Sequence, residues 1–357
     1  MRFVLLTLTS LLGALATNMN RIDTHVHIIP PSYRAAIDKY GDPSGWAMPA
    51  WSLDAALNAS SQLGVRVSVV SVTSPGPSIA GAGEEGRALA RACNDECVAL
   101  AHQAPGKIAL FGSLPDWNDV EGTLAEIDYV MRDLRCPGVV AMTTYGGLFL
   151  GNPKFKPIWA RLERYKAIVF IHPAAVDVTP RLIAEKLPQP IVDYPQATTR
   201  TASDLVLTRT FTKHSKFKVI LSHAGGTLPW LADRMSSSSR LVDPNMTMDD
   251  VCVPGPCSSA DARLETIRHF YFDVALSTTP TALYGLLQVT TPDKILYGSD
   301  FPYAALNSSM RHTTRLDTLL AGEFRNLSAV NSENAEKLFG GVDKVVARLK
   351  GGKKPKL

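Results

Sequence analysis

The sequence lacks most of the features that mark several common function classes. Its five cysteines contain no Cys-x-x-Cys pair, so a zinc-finger type of module is excluded. The odd count leaves at least one thiol free. Cys93 and Cys97, four apart in a helical stretch, read as one buried helix face, whereas Cys252 and Cys257 bracket a Val-Pro-Gly-Pro loop and could close a small disulfide only in an oxidising compartment. Charge of one sign is also nearly absent. Lys and Arg number 37 against 33 Asp and Glu, and part of the net +4 sits in the tail Lys350–Leu357, so no nucleic-acid surface is expected. A mean hydropathy of +0.02 argues against a polytopic membrane protein. No solenoid-length repeat and no interdomain linker break the chain.

The one apolar run is at the start. Arg2 precedes the uncharged stretch Phe3–Ala16, which ends in Ala14-Leu15-Ala16. This has the shape of a secretory signal peptide with a small-x-small cleavage site, and it is too short for a membrane span. Sequons at Asn58, Asn245, Asn307 and Asn326 are compatible with secretion. A start at Met19 in a cytosolic protein is the competing reading. The favoured organisation is a leader over 1–16, one domain over 17–342 and a basic tail over 343–357.

From Arg21 onward, eight short apolar and β-branched runs recur: Arg21–Ile28, Val65–Val72, Lys107–Pro115, Gly138–Thr144, Ala167–Pro173, Lys218–Gly226, His269–Leu276 and Lys294–Pro302. Between them, Glu84–Gln103, Trp159–Ala167 and Asn331–Gly340 have helical composition, with Ser332 placed to cap the last and Gly340 to end it. Near-continuous apolar strands alternating with helices indicate a parallel sheet covered on both faces, and eight such units indicate an α/β (β/α)₈ barrel. Two segments are too long for ordinary connections: Pro30–Trp51, read as an inserted lid or substrate-facing loop, and Met235–Asp261.

In such a barrel the active site forms at the C-terminal ends of the strands. Four of the eight histidines fall there: His25 and His27 on the first strand, His172 on the fifth and His223 on the sixth, joined by Asp300 on the eighth. His25 and His27, two apart in a strand, project from one face. Five ionisable groups at one mouth would crowd one another without a shared cation. Imidazoles and a carboxylate suit a borderline divalent ion such as zinc, with manganese as an alternative, and three histidines with Asp300 make a set. His223 then serves best as an acid or base beside the metal. His102, His214, His269 and His312 are assigned to solvent or structure.

These motifs, "DTHVHIIP" (Asp23–Pro30), "IHPA" (Ile171–Ala174), "SHAGGTLPWLADR" (Ser222–Arg234), "GSDFP" (Gly298–Pro302) and "NAEKLFG" (Asn334–Gly340), resemble the amidohydrolase superfamily. The similarity is to the family of aminocarboxymuconate semialdehyde decarboxylase and its relatives, over about Arg21–Gly340. The resemblance implies that His25, His27, His172 and Asp300 bind the metal and that His223 is catalytic. It also implies that Arg234 reaches the carboxylate of a substrate in a neighbouring subunit, hence a homodimer. The fourth strand ends in Ala141–Gly147 without the lysine that bridges two metals in dinuclear relatives, so the site should be mononuclear. The first histidine is not replaced by glutamate, as it often is in enzymes acting on dihydroxybenzoates, which leans toward the semialdehyde decarboxylases and fungal 6-methylsalicylate decarboxylases.

The implied function is cofactor-free, non-oxidative decarboxylation of an ortho-hydroxy aromatic acid, with conversion of 6-methylsalicylate to m-cresol and CO₂ in polyketide metabolism as the specific expectation. The alternatives are a lactonase or amidohydrolase using the same ligands, and a barrel that has lost catalysis and only binds. Trp46, Trp51, Trp230, Phe301 and Tyr303 are candidate ring contacts, with Trp51 and Phe301 joined to Arg234 as the expected substrate-binding set. The leader generates a test: protein from the native host should begin at Thr17 and carry glycans. A chain starting at Met1 or Met19 without sugar overturns the secretory reading.

Overall fold

The protein is described from a computed structural model, in which residues 20–213, 216–237 and 260–350 are described. The leader, His214, the Asn245 sequon, the Cys252–Cys257 pair and residues 351–357 lie outside them; the first part of the expected tail 343–357 is instead helical, Val342–Lys350, and buries Val345, Val346 and Leu349.

Eight parallel strands follow one another in chain order around a single sheet. They are Arg21–Ile28, Val65–Val72, Ile108–Gly112, Gly138–Met142, Ile168–His172, Lys218–Leu221, Tyr271–Asp273 and Ile295–Leu296. Each falls inside one of the eight runs expected from sequence, because a parallel strand covered on both faces must be apolar nearly throughout. The barrel closes by backbone hydrogen bonds between the first strand and the segment after the eighth. Thr24 donates to the Tyr297 carbonyl at 3.0 Å, His27 to Phe301 at 2.8 Å, and Ser299 and Asp300 both donate to the His25 carbonyl at 3.1 and 2.8 Å. Closure therefore places His25 against Asp300.

The helices cover the outside. Helix Glu84–Gln103 buries Ala90, Cys93, Cys97, Val98 and Ala101 on one face, as the cysteine spacing implied. Burial pushes the Cys93 thiol up to about 12, which leaves it unreactive. Helix Lys156–Tyr165 begins three residues before the expected Trp159 and ends at Lys166 in the left-handed region. Ser332 occupies the cap position of helix Glu333–Phe339, but its side chain makes no capping bond; its carbonyl accepts the Glu336 N–H at 2.8 Å instead. Gly340, left-handed at φ 64°, ends that helix as expected.

The Pro30–Trp51 segment is only partly a loop. It opens with helix Pro31–Tyr40, which the sequence reading missed. Pro31 suits a first helical position, where its lacking N–H is no loss, and Tyr33, Ala36 and Ile37 bury one face at helical spacing. Gly41 and the irregular residues after it then cross toward the barrel mouth. A short antiparallel hairpin, Thr144–Tyr145 with Leu148–Phe149, follows the fourth strand. The Met235–Asp261 insertion is entered by helix Leu228–Ser237 and left by helix Ala260–Ile267.

Asp204, on helix Asp193–Leu207, holds the segment after that hairpin by accepting the Gly151 N–H at 2.7 Å. Burial raises its carboxyl to about 6, against the lowering effect of that bond. A carboxyl whose folded value exceeds its unfolded one binds more protons when folded, so stability falls as pH rises between the two values. Asp204→Asn, which keeps the acceptor, should stabilise the protein by about 1–2 kcal/mol at about pH 8, after allowance for partial exposure. The gain should vanish near pH 3.5, roughly below the unfolded carboxyl's value. Denaturant unfolding at both pH values checks this; equal gains would sink it.

Candidate active site

Strand ends bring the side chains together. His25 and His27 project from the first strand, His172 ends the fifth, His223 follows the sixth, and Asp300 follows the eighth. His25, His27, His172 and Asp300 are 0%, 1%, 4% and 7% exposed, and each offers a ligand atom within 4.8 Å of the others. The imidazole rings stand mostly edge to face, with centroids 5.1 Å apart for His25 and His27, 4.8 Å for His27 and His172, and 4.7 Å for His25 and His223.

The far side of each ring settles its tautomer. His27 Nδ1 lies 3.3 Å from the Ser71 carbonyl, His172 Nδ1 2.8 Å from the Pro173 carbonyl, and His223 Nδ1 3.1 Å from the Ala275 carbonyl. His25 Nδ1 lies 3.0 Å from Asp273 Oδ2. Carbonyls and carboxylates only accept, so all four Nδ1 atoms donate, and in the neutral ring each Nε2 keeps its lone pair. His25 Nε2 and His27 Nε2 are fully buried without an aligned hydrogen bond, although Asp300 Oδ1 lies 3.4 and 3.2 Å away. Orphaned acceptor nitrogens facing an ionised carboxylate fit a divalent cation, which would be held by His25, His27, His172 and Asp300.

Electrostatics agree with that donor set. Burial holds His172 well below the usual imidazole value, helped by the neighbouring His27 and His25 rings, and burial also lowers His27. Both are therefore neutral, as ligands must be. Burial opposes ionisation of Asp300, but His25 and His27 outweigh it and hold its carboxyl well below the usual range. Burial likewise opposes charge on His25, yet Asp273 and Asp300 together raise it to about 10. With no cation bound, a proton on His25 balances the two carboxylates; a metal ion would replace it.

Two buried carboxylates were missed from sequence. Asp273, at the end of the seventh strand, accepts the backbone N–H groups of Ala275 and His223 at 2.9 and 3.2 Å on Oδ1 while Oδ2 faces His25. It thus links the first, sixth and seventh strands. Its position at a strand end, in Tyr271–Leu276, was the signal that could have found it, the same one that found Asp300. Asp23 accepts the N–H groups of His25 and Ser299, both at 3.1 Å, and burial lifts its carboxyl to about 7. Gly298 makes the closeness tolerable: a Cβ there would stand 2.8 Å from the His25 Cβ and 3.1 Å from Asp273 Oδ1. His223 and Asp300 adopt left-handed backbone conformations, φ 53° and 59°, which cost energy for residues other than glycine and are held by the surrounding bonds.

Above the cluster opens a cavity of about 320 Å³. His172, His223 and Asp300 form part of its lining, with Trp46, Tyr194 and Tyr303 as its aromatic walls. The expected ring contacts are thereby redistributed. Trp46 and Tyr303 line the cavity, but Trp51 and Phe301 do not: both are half-buried and pack against the hydrophobic core. Phe301 is drawn there because its carbonyl pairs with His27 to close the barrel, and Trp51 because it leads into helix Leu53–Gln62 on the outside. Trp230 is 68% exposed, and Arg234 is exposed on the same helix, away from the cavity of its own chain. Of the remaining histidines, His102 contacts the Leu349 carbonyl at 2.9 Å and His312 the Thr278 hydroxyl at 3.0 Å, both structural roles.

A buried His₃Asp cluster at the mouth of a closed barrel defines a metal-dependent enzyme of the amidohydrolase type. The amidohydrolase family model matches residues 22–341, and the chain belongs to this family, among its carboxy-lyases. It is 39% identical over 302 residues to a 6-methylsalicylic acid decarboxylase of Penicillium expansum, covering 84% of this chain and 90% of the relative. It is 40% identical over 297 residues to 6-methylsalicylic acid decarboxylase of Aspergillus aculeatus, covering 82% and 87%. Among solved structures, an amidohydrolase II superimposes with a TM-score of 0.77 at 28% identity, over 90% of this chain and all of that one. The 5-carboxyvanillate decarboxylase of Novosphingobium aromaticivorans, solved with manganese and a nitrobenzoic acid, shares the fold at a TM-score of 0.76 and 18% identity, over 90% of this chain and 96% of that one.

The expected division between ligands and an acid-base group can be tested, since His223 also stands with His25 and Asp273 in a second cluster able to hold an ion. His25→Ala and Asp300→Ala should each abolish stoichiometric metal and turnover, because an incomplete shell binds weakly. His223→Ala should keep its metal and lose roughly 10²–10⁴-fold in turnover. Elemental analysis beside the assay distinguishes the cases: full metal in the first two variants, or none in the third, reverses the assignment.

Proposed function

We propose that the protein decarboxylates an ortho-hydroxy aromatic monocarboxylic acid without an organic cofactor, converting 6-methylsalicylate to m-cresol and CO₂. The observation that carries this reading is the His₃Asp cluster opening into a small aromatic-walled cavity, in a chain that matches two 6-methylsalicylic acid decarboxylases along most of its length. A volume of about 320 Å³ lies at the small end for ligand sites and suits a single substituted ring.

An aryl carboxylate resists losing CO₂ because the departing electron pair would occupy an in-plane orbital that the ring cannot stabilise. Protonating the carboxylate-bearing carbon first removes the obstacle, and an ortho hydroxyl feeds electron density to that carbon. The C–C bond then breaks, its electrons restore the ring, CO₂ leaves, and the added proton stays on the carbon. When bound, a divalent ion would supply positive charge to neutralise and orient the carboxylate and the neighbouring hydroxyl oxygen. The imidazole-rich donor set favours zinc, with manganese, found in the 5-carboxyvanillate decarboxylase, as the alternative.

Of His223 and Asp300, both of which line the cavity, we assign delivery of the proton to His223. Its Nδ1 is committed to the Ala275 carbonyl, so the proton it exchanges is the one on Nε2. Asp300 is a poorer donor, since two imidazoles hold it ionised. Trp46, Tyr194 and Tyr303 supply apolar faces for the ring. We further infer a homodimer in which Arg234 of one chain serves the site of the other; its exposure on helix Leu228–Ser237 is compatible with that role. We likewise infer passage through the secretory pathway, with which the exposed positions of Asn58, Asn307 and Asn326 are compatible.

The test uses purified, metal-loaded protein given 6-methylsalicylate and, separately, simple lactones, with products followed by mass spectrometry. Release of m-cresol and CO₂ without lactone opening is expected. Lactone hydrolysis without CO₂ release would establish a hydrolase of the same family instead.

A further inference from the structure

The cavity carries one charged side chain that the proposed reaction does not use. Asp42 lines it together with Ser44 and Trp46, all three from the irregular segment that follows helix Pro31–Tyr40. Its Oδ1 accepts the Ser44 N–H at 2.7 Å, which fixes the carboxylate relative to the backbone. Its charge acts on the hydroxyls of Tyr194 and Tyr303, two of the three aromatic walls. The cation that acts on Asp42 is Arg181, which is exposed and does not line the cavity. Among the described lining residues there is no lysine or arginine, and the carboxylates are Asp42 and Asp300.

This asymmetry bears on which acids can enter. One substrate carboxylate is taken up by the cation that the His₃Asp cluster fits, together with the Arg234 inferred to reach in from the other chain, so a second finds no further positive group among the described lining residues and meets Asp42. Like charges in a partly desolvated cavity repel more strongly than in water. Specificity built in this way works by penalising the wrong ligand rather than by gripping the right one. We propose that Asp42 is a specificity residue that excludes ring substituents bearing a second negative charge, restricting the enzyme to aromatic monocarboxylates whose other substituents are neutral. The proposal rests on the reading of the cavity as an aromatic-acid site.

A nitro group matches a carboxylate in size and planarity but carries no net charge, which isolates the electrostatic component. Binding of salicylate, 4- and 5-nitrosalicylate, and 4- and 5-carboxysalicylate to the metal-loaded enzyme is measured by calorimetry and by competition with 6-methylsalicylate. The measurements are made at about pH 8, so that the Asp42 carboxyl, which burial raises from its usual value, is ionised. In the wild type, at one ring position or both, the carboxy compound should bind at least about tenfold more weakly than its nitro counterpart. Asp42→Asn, which keeps an oxygen for the Ser44 N–H, should shrink that carboxy-to-nitro ratio by roughly tenfold at the same position. Equal binding of the two compounds by the wild type at both positions overturns the proposal without recourse to any variant. So does a ratio unchanged in Asp42→Asn. If salicylate itself fails to bind, the aromatic-acid reading beneath the proposal falls, and the proposal with it.

Discussion

The site depends on one constraint, the donation of every histidine Nδ1 proton away from the cluster. Three backbone carbonyls and the Asp273 carboxylate take those protons. Only then do the Nε2 atoms of His25, His27 and His172 converge as acceptors around Asp300. The carbonyl partners belong to strand ends or to the residues just after them, so the barrel is what sets the tautomers. A slip of register in any one strand would turn a ligand toward the core or offer it no acceptor. Asp273 has the widest reach, because the same carboxylate orients His25 and anchors the backbone of His223, tying the two histidines into one unit.

Closure of the barrel and assembly of the site are the same event. The hydrogen bonds that join the first strand to residues 297–301 also bring Asp300 onto His25 and His27. The left-handed backbone at Asp300 is tolerated because these bonds over-determine it, and that at His223 is held by the Asp273 carboxylate, which accepts its N–H. Close packing at Gly298 completes the arrangement, since any side chain there would separate His25 from Asp273. Much of the cavity wall comes from connecting segments, among them the irregular residues after helix Pro31–Tyr40, the region around Pro190–Pro195 and the residues after the eighth strand that carry Tyr303. Chemistry is therefore built on rigid strand ends, and ligand selection on connecting segments, a division that lets one fold serve many substrates.

Family and mechanism also separate along this line. The His₃Asp cluster is common ground for decarboxylation and hydrolysis, since both use a cation beside an acid or base. What favours decarboxylation is the match to two decarboxylases along most of the chain, with which a small aromatic-walled cavity is consistent.

Sequence alone determined the eight strands, the barrel and the five groups at its mouth. Those features are local: an apolar β-branched run declares a buried parallel strand, and a polar residue at its C-terminal end has few places to go. His25, His27, His172, His223 and Asp300 could be read in this way. Asp273 and Asp23 could not be given roles, because what defines them is the His25 ring and the His223 and Ser299 backbone, far off in sequence. Helix Pro31–Tyr40 hid among prolines and glycines until its buried face met the barrel. Trp46 and Tyr303 were separated from Trp51 and Phe301 only by the tertiary structure, since four aromatic residues near a barrel mouth look alike in sequence. Which of them face the cavity is decided by where barrel closure and the surrounding helices leave room, and that is a property of the assembled fold.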